Sequence, residues 1–137
     1  MAANTAPIFS KAGKIQFAPA ITAANTAKDG TGTVDIVFTA DATNGSYIDR
    51  LHIRSKGSNV ATVMRIFINN GSVNTTAANN VLFTEVSLIA TSITEIAANV
   101  GVTVPLNLAL PPGYRVFVTL GTAVVSGYAV TGIGGDY

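Results

Sequence analysis

The sequence predicts an all-β chain, a single antiparallel β-sandwich of jelly-roll type with an extended N-terminal arm. Three observations lead there. From about residue 33 onward, apolar residues recur with a period of two in short segments, the mark of half-buried strands. Gly, Asn and Pro turns separate these segments, and regular spacing with few helix signals reads as a sandwich or barrel. Finally, 48% of the 137 residues are apolar and only 11% are charged, which is enough apolar material for one core and too little charge for a disordered chain.

Residues 1–32 read as the arm. Ile8, Phe9, Ile15, Phe17 and Ile21 are scattered without a period, Pro7 and Pro19 interrupt them, and Lys28-Asp-Gly-Thr-Gly32 has turn chemistry. One strand is placed inside this stretch, over residues 14–18. The sandwich itself is expected over residues 33–137. Val34, Ile36 and Phe38 share one face of its first strand, and Asp41-Ala-Thr-Asn-Gly45 turns. Residues 47–54 place Leu51 and Ile53 inward and Arg50, His52 and Arg54 outward. After the Lys56-Gly-Ser-Asn59 turn, residues 62–69 direct Met64, Ile66 and Ile68 inward, with Arg65 and Phe67 opposite. Asn70-Gly71 is a turn because both residues tolerate positive φ.

Residues 81–89 form the next strand, with Leu82, Val86 and Leu88 on one side. Ile93, Ile96, Ala97 and Val100 have helical spacing, and over residues 93–100 a short helix and a loop are equally compatible with the pattern. Val102, Val104, Leu106, Leu108 and Leu110 alternate cleanly, but Pro105 removes a ladder donor, so this strand belongs at an edge or carries a bulge. Pro111-Pro-Gly113 turns into Tyr114, Val116, Val118 and Leu120, and a last strand runs over residues 124–133. An immunoglobulin-like sandwich is the alternative, weakened because its Trp and Cys pair are missing.

The same composition excludes several functions. Eight Lys+Arg against seven Asp+Glu leave no clustered cation excess for phosphates, so no nucleic-acid partner is expected. Without cysteine there is no disulfide, thiolate nucleophile or zinc-cysteine site. The single imidazole, His52, lies between Arg50 and Arg54 with no carboxylate expected on its face, since Asp49 alternates to the other one. No catalytic triad or carboxylate pair is read, and the chain is expected not to be an enzyme. Asp29-Gly-Thr-Gly-Thr-Val-Asp35 lacks the ligand rhythm of a calcium loop, so no metal and no cofactor are expected. The first residues have no basic n-region or apolar h-region, and no run approaches the ~20 apolar residues of a membrane helix. A cytoplasmic origin and no membrane partner are therefore expected.

The charge deficit points to assembly. A folded 14.0 kDa monomer exposes roughly 6,700 Å², so its charges are spaced at about one per ~450 Å², far below the ~25–35% charged residues of a self-sufficient surface. A homo-oligomer is expected, a trimer being favoured. The basic stripe Arg50, His52 and Arg54, expected to be joined by Arg65 from a neighbouring strand, is the candidate partner-binding face, since Arg forks bind carboxylates bidentately.

The run Val37-Phe-Thr-Ala40, then Asn44-Gly-Ser-Tyr-Ile-Asp-Arg-Leu-His-Ile-Arg54 and Ala61-Thr-Val-Met-Arg-Ile-Phe-Ile-Asn-Asn-Gly71, resembles a family of small tailed-bacteriophage virion proteins. Leu106-Asn-Leu-Ala-Leu-Pro-Pro-Gly-Tyr114 and Gly134-Gly-Asp-Tyr137 fit the same resemblance, which covers residues 34–137 and leaves the arm unmatched. The resemblance implies a β-sandwich structural protein of the virion. The expected function is capsid decoration, a cement protein bound across capsomer junctions to the major capsid protein or other virion subunits. A tail or neck component and a glycan-binding adsorption module are the alternatives, the last disfavoured because Trp is absent.

Overall fold

Each strand of this chain buries alternate side chains, and two sheets are needed to cover the apolar faces so formed. The structure is a computed structural model that describes residues 10–99 and 101–137. Its strands are β1 (Ala12–Ile21), β2 (Asp35–Thr39), β3 (Ser46–Ser55), β4 (Thr62–Asn69), β5 (Asn80–Leu88), β6 (Val102–Leu110), β7 (Arg115–Leu120) and β8 (Tyr128–Asp136). A 3-10 turn, Ala77–Asn79, precedes β5. Two four-stranded sheets have the orders β1-β8-β3-β6 and β2-β7-β4-β5, and every strand pair is antiparallel. The all-β sandwich expected from the sequence is the fold. Its pairing is nested: β1 with β8, β2 with β7, β3 with β6 and β4 with β5, so the chain is one long hairpin wound into two layers.

The core lies between the layers. Ile48, Leu51 and Ile53 from β3 and Val130 from β8 meet Met64 and Ile66 from β4 and Val116, Val118 and Leu120 from β7. The anticipated β4 and β6 boundaries coincide with the observed strands. Pro105 sits on an edge strand beside a register shift, as its missing N–H requires. Residues 93–99 contain no helix; the helical spacing there is a loop, and Val100 lies outside the described residues. In β2 a register shift between Ile36 and Phe38 buries Val37 and Phe38 together and turns Ile36 outward, half exposed.

The arm reading needs correction. Residues 12–21 are the edge strand β1, paired along its length with β8, and Lys14 and Gln16 reach across to the second sheet. The Lys14 ammonium lies 5.4 Å from the centre of the Phe38 ring, and Gln16 Oε1 accepts from the Thr39 N–H at 2.5 Å. The boundary expected at residue 33 thus falls inside the sandwich. Residues 1–9 of the expected arm lie outside the described residues.

The β1–β2 connection is also bound down. Ala24 bridges to Leu120 on β7, yet Gly30 lies against Asn80 at the start of β5. Asn74 Nδ2 donates to Gly30 O at 3.1 Å and Gly32 O at 2.8 Å, and Asn80 Nδ2 donates to Asp29 O at 3.1 Å. The connection therefore spans the outer face of the second sheet and returns to begin β2. This accounts for Phe67 and Phe117, which alternate away from the core yet are 0% and 1% exposed and stack with ring centres 5.4 Å apart. The apparent irregularity of the first thirty residues arises because much of this segment covers a sheet from outside, where no strand period operates.

Candidate functional site

The outer face of the β1-β8-β3-β6 sheet holds the predicted basic stripe. Arg50, His52 and Arg54 all point outward from β3, because Leu51 and Ile53 between them are buried. Thr131 on β8 and Thr103 on β6 flank His52, whose Nδ1 lies 3.2 Å from Thr103 Oγ1. The Arg54 stem and the His52 ring pack beside Gly101, where a Cβ would come within 3.0 Å of Arg54 Cδ.

Arg65 does not join them. After β3 the chain crosses to the other sheet, so β4 lies between β7 and β5 and its outward side chains face the opposite side of the molecule. Arg65 is 11% exposed there, and its Nε donates to Glu85 Oε1 at 2.8 Å. The short turn at residues 56–59 suggested a hairpin between neighbouring strands, but it is a crossing between layers.

Asp49 is a second departure. Register shifts between Ile48 and Arg50 affect the pairing of β3 with both β8 and β6. This bulge brings Asp49 and Arg50 to the same outer face, and Arg50 Nη1 donates to Asp49 Oδ2 at 2.8 Å. Arg50 is therefore paired, and among the described residues His52 and Arg54 have no carboxylate partner. Opposite the bulge, Asn107 adopts φ 51°, the one positive φ outside glycine among the described residues. Its Oδ1 accepts from the Tyr47 hydroxyl at 3.0 Å. Between these residues lies an open groove of about 670 Å³, lined by Tyr47, Asp49, Asn107, Ile133 and Tyr137 among others. Pro105 and Asn107 in an otherwise regular β6 were the sequence signal for this irregularity; period-two counting passes over it.

The loops at the other end of the sandwich form a different surface. Connections 56–61, 89–101 and 121–127 meet there and carry Val60, Ile89, Ile93, Ile96 and Val125, exposed by 55, 70, 61, 95 and 92%. Lys56 and Glu95 are the only charged residues in these three loops. Asn59, 5% exposed, braces them. Its Nδ2 donates to Gly127 O at 3.0 Å and Ser55 Oγ at 3.1 Å, while its Oδ1 accepts from the N–H groups of Ser126 and Gly127, both at 2.9 Å. Its backbone exchanges two hydrogen bonds with Thr91.

Among the described residues no group of three or more His, Asp or Glu side chains converges as a metal site, and no helix is long and apolar enough to cross a membrane. No family model matches the chain, and no curated protein or solved structure does so.

Proposed function

We propose that this chain is a structural subunit of a tailed-phage particle: a capsid decoration protein that binds across capsomer junctions and stabilises the head, working as a homotrimer docked on the major capsid protein. The observation that carries the reading is the apolar loop end. Five large aliphatic side chains exposed together on a charge-poor, braced surface are what a protein-docking site presents, since monomeric proteins rarely expose contiguous apolar patches of this kind. The nested strand pairing supports the jelly-roll subclass, whose eight strands wind in this way. With Arg50 paired and Arg65 on the other sheet, the basic stripe contributes at most a polar margin. The bracing by Asn59 reduces the ordering cost of docking, and many weak contacts repeated over a shell add up to a large effect.

The test compares complete particles with particles lacking the protein under heat and osmotic shock. Depleted particles should rupture first, and adding back the protein should restore them. Exchanging Ile96 and Val125 for Asp should leave the thermal unfolding of the free protein within ~0.5 kcal/mol while abolishing add-back. Depleted particles that survive equally well, or a double variant that restores them, would overturn the reading. Sedimentation equilibrium tests the trimer separately.

A further inference from the structure

We propose that the groove between Tyr47, Asp49, Asn107 and Tyr137 is a binding site for a neutral saccharide. The groove measures about 670 Å³, within the ~300–1,000 Å³ range of small-molecule sites, and its chemistry is specific. Tyr47 and Tyr137 supply aromatic surface against which the C–H face of a sugar ring can pack. Asp49 uses Oδ2 on Arg50, leaving Oδ1 to accept hydroxyl protons. Asn107 accepts the Tyr47 proton on Oδ1, so its two amide protons, with no protein acceptor among the described residues, remain to donate. A carboxylate acceptor beside an amide donor is the pair that adjacent hydroxyls of a sugar satisfy in both directions.

The backbone places these groups deliberately. The β3 bulge turns Asp49 onto this face, and the positive φ of Asn107 aims its amide toward Tyr47; bulges and strained φ angles of this kind concentrate at binding sites. Other ligand classes fit less well. A phosphate or sulfate would meet one guanidinium, already paired with Asp49. An extended peptide could pair only along the free edge of β6, where Pro105 removes a donor and the positive φ of Asn107 interrupts the extended run. A wholly apolar ligand would leave Asp49 and Asn107 without partners. The absence of Trp counted against glycan binding at the level of sequence, but the fold assembles a tyrosine pair from residues ninety positions apart.

The inference is independent of the decoration reading. The full chain is screened on an array of neutral and anionic glycans, and lactose, cellobiose and chitobiose are titrated by calorimetry and by amide chemical shifts. Binding of one or more neutral glycans is expected, with shifts centred on residues 47–49, 107 and 133–137. Asp49→Asn and Asn107→Gly, the latter compatible with the positive φ, should each weaken it at least about tenfold while thermal unfolding shows both variants folded. Absence of neutral-glycan binding, binding confined to anionic glycans, or binding that both variants retain would overturn the proposal.

Discussion

Replacing Asn59 by Ala should cost this small protein a large share of its stability. The Asn59 amide makes four hydrogen bonds, to Ser55, Ser126 and twice to Gly127, thereby filling its two donor sites and its acceptor oxygen. Truncation leaves the N–H of buried Gly127 without a partner, whereas Gly127 O keeps the Lys56 N–H at 3.0 Å, and the half-exposed Ser126 N–H and Ser55 hydroxyl can turn to water or to Gly57 O. A stranded buried donor costs ~1–3 kcal/mol, so a loss of about 2 kcal/mol is expected. With an unfolding entropy of ~2.1 cal/mol/K per residue, a chain of this length should melt about 7 °C lower. Calorimetry and urea unfolding monitored by circular dichroism measure this directly, since a sandwich of this size is expected to unfold in one step. Asn59→Asp keeps the acceptor bonds but sets a carboxylate oxygen against Gly127 O and buries a charge, so at neutral pH it should be at least as destabilising as Ala. An Ala variant melting within about 2 °C of wild type, or an Asp variant as stable as wild type at neutral pH, would refute the claim that this side chain braces the three loops.

Phe67→Ala should lower stability by ~3–5 kcal/mol in urea unfolding, a core-sized loss for a residue on the outer face of its sheet. Trypsin should leave Lys28 uncut in the native protein, although the side chain is exposed, and Asn80→Ala should make it cleavable by releasing Asp29 and the connection around it. Gly134→Ala should prevent folding or force β8 out of place, because its Cβ would overlap the Tyr47 carbonyl oxygen; Gly13→Ala, with open space around it, should change stability by no more than ~0.5 kcal/mol. Acid unfolding should show two opposite contributions. Hydrogen bonds from Thr31 hold Asp29 below its ordinary 3.8, and the N–H groups of Asn44 and Thr43 do the same for Asp41. Their stabilisation is present above 3.8 and lost as pH falls through the lower folded values. Burial pushes Asp35 above 3.8, so its ionisation opposes folding at neutral pH, and Asp35→Asn should raise Tm near pH ~7 but not near pH ~3.

Strand alternation was legible wherever one face of a strand meets the core and the other meets water. β3 and β6 satisfy that condition, and Leu51, Ile53, Val104, Leu106 and Leu110 could be named as inward from the sequence. It failed where a second layer covers the outer face: Phe67 reads as an exposed position until the β1–β2 connection is seen to lie over it. It failed again at β1, whose Ile15 and Phe17 face outward and are both 66% exposed, so the apolar residues mark the wrong side and the strand looks like a loose arm. Register is the third gap. One inserted residue at Asp49 turns a carboxylate to the opposite face from the one alternation assigns, and this converts part of a basic stripe into an ion pair beside a groove. Which strands share a sheet is not a local property at all, and Arg65 was misplaced for that reason.

The two proposed surfaces occupy opposite ends of the molecule, and the nested pairing explains why they do not compete. β3 starts beside the groove, at Tyr47, and ends at Ser55 beside the braced loops; β8 runs the other way, from Tyr128 at the loops to Asp136 at the groove. Connections 56–61, 89–101 and 121–127 therefore gather at one end, while the turns at residues 40–45, 70–79 and 111–114 and the C-terminus gather at the other. Seated on a particle by Val60, Ile89, Ile93, Ile96 and Val125, the subunit would point its groove away from the shell, where a glycan can reach it. The length of a β-sandwich strand, ~3.3 Å per residue, separates the ends by roughly 30 Å across the ten residues of β3, further than a local rearrangement in one surface would carry. Loss of docking and loss of saccharide binding should thus be separable by mutation, and a substitution at one end that abolishes both would mean that the sandwich itself has failed.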